Sequence, residues 1–168
     1  MNLMQRSEKG FTLIEVMIAV AIMGLIMPMM TMTTTTLLTN HQQANDHNIV
    51  LHQVQNVGYW ISRDVQMAKD VIFDDPSGFP LTLDIPVDTD ENNDYSVDYL
   101  FDGNKLKRQV YDSSDTLILE TLIAEYIDVQ DTTFSTLDSN IYNLTVKVSK
   151  GEVVVERCYK VSQSLSSS

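Results

Sequence analysis

Glu15 is the residue whose type and place are hardest to reconcile, because it interrupts the apolar run KGFTLIEVMIAVAIMGLIM, Lys9 to Met27, five residues past Gly10. An ionised carboxylate near mid-bilayer costs about 2.5–3.5 kcal/mol on insertion scales, so an acid here asks for a cationic partner. A second candidate lies in VDTDENNDYS, Val87 to Ser96, where Asp88, Asp90, Asn92 and Asp94 stand at alternate positions. Hard cations take several such oxygens from one tight loop, and the spacing resembles the front half of a calcium loop. Asn93 stands where that loop needs glycine and Tyr99 where it needs a bidentate Glu, so a solvated acidic loop is the competing reading. His41, His47 and His52 are spaced 6 and 5 apart and do not share a helical face as zinc ligands would. Cys158 is the sole cysteine, which excludes an internal disulfide and reads as a small buried hydrophobe on a strand. There is no nucleophile elbow, phosphate loop or CxxC pair, and the chain is not expected to be an enzyme.

The element that must position Glu15 is apolar from Phe11 to Met32 apart from Thr12, Glu15 and Thr31. That is close to the ~20 residues a helix needs to cross a bilayer core. Arg6 and Lys9 flank its start, and no Lys or Arg follows until Arg63, so the leader belongs in the cytoplasm and the remainder outside. Three readings compete. A cleaved secretory signal would use Ala19-Val20-Ala21, yet the apolar run continues well past it. A plain single-pass anchor explains the length and leaves Glu15 unexplained. The third reading is processing between Gly10 and Phe11.

KGFTLIEV, Lys9 to Val16, resembles the processing site of type IV pilins and of the pseudopilins of type II secretion systems. The resemblance implies a short basic leader cut after Gly10 by a membrane peptidase, N-methylation of Phe11, and an assembly role for Glu15. It also implies partners: the prepilin peptidase and methyltransferase, other pilin or pseudopilin subunits, and an inner-membrane assembly platform. An acidic loop, a tyrosine-rich strand, an Asp-Gly turn and Lys105 to Arg108 resemble more loosely the J-type minor pseudopilins and the W-type minor pilins. Secretion, a surface pilus and DNA uptake all remain open as outlets.

Past the membrane segment the threonine-rich tract from Met30 to Asn48 has no strong apolar face, and it joins Pro28 as the place where a helix should bend or melt. Val50, Val54, Val57, Ile61, Val65, Ala68 and Ile72 then follow helical steps, with Trp60 beside them as a core residue. Beyond Gly78 the period changes to two. Tyr95, Val97, Tyr99 and Phe101 lead to an Asp102-Gly103-Asn104 turn and a return over Lys105 to Tyr111. A second hairpin pairs Tyr142–Val148 with Glu152–Ser162, while Thr116–Val129 is ambiguous between strands and a short helix.

The expected fold is therefore α+β, a long amino-terminal helix packed on an antiparallel sheet, which the pilin resemblance also implies. The expected organisation is a removed leader over 1–10, a transmembrane or filament-core helix over 11–32, a helical arm over 33–74 and a globular β domain over 75–168. No cofactor is expected apart from the calcium reading of the acidic loop. The net charge of -12, with sixteen acids between Asp70 and Asp131 against Lys105, Lys107 and Arg108, opposes direct nucleic-acid binding. Two functions follow from different classes: a minor pilin or pseudopilin subunit in the cytoplasmic membrane and then a filament, or an unprocessed single-pass binding or sensor module.

Overall fold

The computed structural model describes residues 11–74, 76–86 and 94–164. It divides into two compact units, one ending at Gln42 and one spanning Gln43–Ser168. A single helix, α1 (Leu13–Met67), supplies most of the first unit and opens the second.

In the first unit the helix runs through Pro28 and the threonine tract, where bending or melting was expected. The threonines themselves supply the reason. The hydroxyls of Thr31, Thr33, Thr34, Thr36 and Thr39 each donate to the carbonyl four residues back, at 2.9–3.0 Å. Thr35 donates to Thr31 at 3.2 Å and Met32 at 2.9 Å. Hydroxyls that would compete with the backbone ladder in water are spent within the helix, which suits a segment with few other polar partners.

In the second unit the predicted stripe is the buried face of α1: Val50, Val54, Val57, Ile61 and Val65 are all inaccessible to solvent. The helix stops at Met67, short of the expected Ile72. The Lys69 amide donates to the Asp84 carbonyl at 2.7 Å, so the chain is captured by a sheet before another turn can form. Ile72 falls in β1 (Asp70–Phe73) and is exposed.

Eight strands follow among the described residues. β1, β2 (Leu81–Ile85), β3 (Tyr95–Asp102), β4 (Lys105–Tyr111) and β5 (Leu117–Ala124) form an antiparallel meander in chain order. β6 (Thr133–Asp138), β7 (Ile141–Lys150) and β8 (Val153–Ser162) form a second one. Both predicted hairpins are present, turning at Gly103 and Gly151, whose φ of 60° suits glycine. The ambiguous span from Thr116 resolves as β5, because β4 offers a free edge to pair with. Leu81, Leu83, Val97, Tyr99, Leu106, Leu144, Val146 and Val148 meet the helix stripe in one core, with Trp60 half-buried against it. The two sheets meet where the Phe73 ring of β1 packs edge-on against Phe134 of β6 and Tyr142 of β7, at 5.3 and 6.3 Å, and where Ile127, just past β5, bridges to Val148 of β7.

Cys158 is exposed rather than buried. It has the parity of Val154, Glu156 and Lys160, the outer face of β8, whereas Val153, Val155 and Val161 face inward.

At Gly58 helix and sheet approach closely, since a Cβ there would come within 2.7 Å of three carbons of the Tyr159 ring. The ring is pinned by a 3.2 Å hydrogen bond from its hydroxyl to the Val54 carbonyl. Alanine in a helix interior gains about 0.8–1.0 kcal/mol over glycine, while overpacking costs about 1–3 kcal/mol, so the clash should win. Gly58→Ala is expected to lower the thermal unfolding midpoint by several degrees. With Tyr159→Leu already in place the same change should raise it, and circular dichroism melts of the four chains measure both signs.

Candidate assembly site

The site begins with two backbone amides that the first turn of any helix leaves without partners. Thr12 precedes α1, and its amide and its hydroxyl each donate to Glu15 Oε2 at 3.0 Å. In return the Glu15 amide points to Thr12 Oγ1 at 3.4 Å. This is a capping box, readable in the sequence as Thr-Leu-Ile-Glu and not anticipated from it. Glu15 therefore has a local role in the single chain, closing the helix start beside Phe11. Gly10 lies outside the described residues.

From Phe11 to Met32 every residue is exposed, with Leu13, Ile14, Met17, Ile18, Val20 and Leu25 among the large apolar side chains facing outward. A helix apolar all round cannot remain in water and must be covered by lipid or by other helices. The segment is long and apolar enough to cross a membrane.

The second predicted site divides. Asp88, Asp90 and Asn92 lie outside the described residues. Asp94 lies just before β3, with Oδ1 buried and without a hydrogen-bond partner among the described residues. It lines an open pocket of about 400 Å³ together with Asp70, Asp84, Asp112 and Asp115, and Lys69 is the cation there. Burial, reinforced by the like charges of Asp70, Asp94 and Asp98, holds the Asp84 carboxyl above its ordinary value. Among the described residues no three His, Cys, Asp or Glu side chains are grouped to hold a metal ion. His41, His47 and His52 lie exposed along α1.

A third constellation was not foreseen. Asp64 sits on the buried face of α1, only 1% exposed. Its Oδ2 accepts from Arg108 Nε at 2.7 Å and from the Tyr99 hydroxyl at 2.6 Å. The Arg108 guanidinium also lies 5.2 Å from the centroid of the Trp60 ring. Burial, the charge of Asp64 and the hydrogen bond to it push the Tyr99 phenol far up, so it remains a donor at every physiological pH. Burial works against the charge on Arg108, and the bond and charge of Asp64 outweigh it, leaving the guanidinium more firmly protonated than usual. The cluster ties helix to sheet and offers no nucleophile or open face for chemistry.

No curated protein and no solved structure matches the chain. Residues 5–27 match the family model described as the prokaryotic N-terminal methylation motif. That motif implies processing by a prepilin peptidase, and with the apolar helix it is consistent with membrane anchoring before assembly. The chain thus carries the methylation motif of the type IV pilin and pseudopilin superfamily at the head of a pilin-like α+β fold, a long helix packed against antiparallel sheets.

Proposed function

We propose that the protein is a minor pilin or pseudopilin, a structural subunit of a type IV pilus or a type II secretion pseudopilus. The observation that carries this reading is the coincidence of the methylation motif with a wholly exposed apolar helix. The precursor is cut between Gly10 and Phe11, methylated at Phe11, and drawn from the cytoplasmic membrane into a filament through residues 11–32. Glu15 serves assembly, accepting the Phe11 ammonium of a neighbouring subunit, and the domain from Gln43 onward is displayed outside. Its partners are the peptidase and methyltransferase, sibling subunits and the inner-membrane platform that assembles them. The role is structural, in keeping with a pilin-like superfamily whose members are typically not enzymes.

Intact mass spectrometry of the protein extracted from membranes tests the reading. The expected species begins at Phe11 and carries one added methyl group. A chain that retains Met1, or begins after Ala21, would overturn it in favour of an unprocessed anchored module or a secreted one.

A further inference from the structure

Sheet edges expose a row of unpaired amides and carbonyls, and proteins blunt them with short strands, charges or bulges. Among the described residues, three of the four sheet edges are treated that way. β1 is four residues long, β6 carries Ser135, Thr136 and Asp138, and β8 carries Glu156, Arg157 and Lys160. β5 is the exception. Its eight residues, LILETLIA, pair with β4 on one side and with no strand on the other among the described residues. Leu117, Ile118, Leu119 and Leu122 are 47%, 62%, 52% and 48% exposed. Glu120, the one charge in the strand, is committed to Gln109 at 2.6 Å and Lys107 at 3.2 Å, toward β4 and away from the open edge. An exposed apolar strand with an open edge is a template for strand addition.

The surrounding charge says what kind of strand it takes. At the Leu122 end the cations are already neutralised, Lys105 by Glu125 at 2.9 Å and Lys107 by Asp102 at 2.9 Å. At the Leu117 end Ile118 lies over a groove shared with Tyr95, Val110, Asp94 and Asp112. The adjoining pocket sets Asp94, Asp112 and Asp115, with Asp70 and Asp84, against Lys69 alone, so the acids outnumber the cation, and no salt bridge among the described residues engages Asp94, Asp112 or Asp115. A second copy of the chain would bring the same acidic end and the same net charge, and antiparallel self-pairing would set that acidic end against side chains already neutralised.

We propose that the open edge of β5 is a docking site for another protein, which adds an extended apolar strand carrying Lys or Arg at the end that meets Leu117. The backbone ladder supplies affinity, the apolar side chains seat on Leu117 to Leu122, and the basic end selects the partner's direction. The site lies on the displayed domain and stands independently of the filament reading.

The full chain in detergent micelles tests this with two synthetic ten-residue peptides of alternating valine and threonine, one ending in lysines and the other in glutamates. The lysine peptide is expected to bind and to slow amide exchange over Leu117–Leu122, and the glutamate peptide to bind about tenfold more weakly or worse. Ile118→Lys should abolish binding while Val154→Lys on β8 leaves it unchanged. If Ile118→Lys proves unfolded by circular dichroism, Leu117→Lys takes its place. The proposal is overturned if neither peptide protects β5, if the two bind alike, or if binding survives the lysine substitution on β5. Self-association of the unliganded chain that Ile118→Lys removes would equally overturn it, by showing a second copy as the occupant.

Discussion

Arg108→Ala is expected to destabilise the folded domain by about 3–5 kcal/mol, the range found when one partner of a buried ion pair is removed. Asp64 would keep the Tyr99 hydroxyl at 2.6 Å and lose its cation, while Oδ1 already has no hydrogen-bond partner among the described residues. A carboxylate held at 1% exposure has no water to turn to, so the unpaired charge favours opening of the helix-to-sheet contact. At about 2–8 °C per kcal/mol, the thermal midpoint should fall by roughly 6 °C or more. Arg108→Lys should recover only part of this. An ammonium can meet Oδ2, but it cannot reproduce the guanidinium's planar stack beside Trp60. Replacing both charges, Asp64→Leu with Arg108→Met, should be milder than Arg108→Ala alone, since the desolvation penalty disappears along with the attraction. A melt of Arg108→Ala within 2 °C of the parent would refute the buried pair as a tie between helix and sheet.

The second large effect concerns Glu15, and the capping box makes its test sharper than a simple deletion. Glu15→Val removes both the cap for the Thr12 amide and any charge for a neighbouring ammonium. Glu15→Gln removes only the charge, because glutamine serves a capping box as glutamate does. Both variants should still be cut after Gly10 and should remain in the membrane. Losing one partner of a buried pair costs about 3–5 kcal/mol, a factor of roughly a hundred or more in an assembly equilibrium, so both should be nearly absent from sheared filaments. The measurement is the ratio of processed subunit in the filament fraction to that in the membrane fraction. Assembly of Glu15→Gln at the parental level, with Glu15→Val defective, would refute pairing with Phe11 and leave capping as the contribution of this residue.

Each of these effects has a different visibility in the chain. The Glu15 cap was written in four adjacent residues, and the motif around it in eight. The β3–β4 and β7–β8 hairpins were legible because an alternating period and a glycine at the turn are local signals. The same parity rule, carried consistently through β8, places Cys158 outside. The helix end was misjudged because the stripe continues in phase to Ile72 while a bond from Lys69 to Asp84, fifteen residues on, ends the helix first. The continuity of α1 through the threonines was misjudged for the opposite reason: propensity counts each hydroxyl as a competitor, and here each is satisfied within its own turn.

By itself the sequence determined what depends on neighbours within a few positions: the processing motif, the apolar helix, the amphipathic stripe, two hairpins and the α+β class. Tertiary structure decided which distant residues meet. Asp64 finds Arg108 across 44 positions, Gly58 finds Tyr159, and LILETLIA becomes an open edge only because the meander ends with it. The physical reason is range. Helix and strand periods arise from bonds along or near the backbone, whereas burial of a charge, a ring against a glycine and an unpartnered edge exist only once the sheets have closed on the helix.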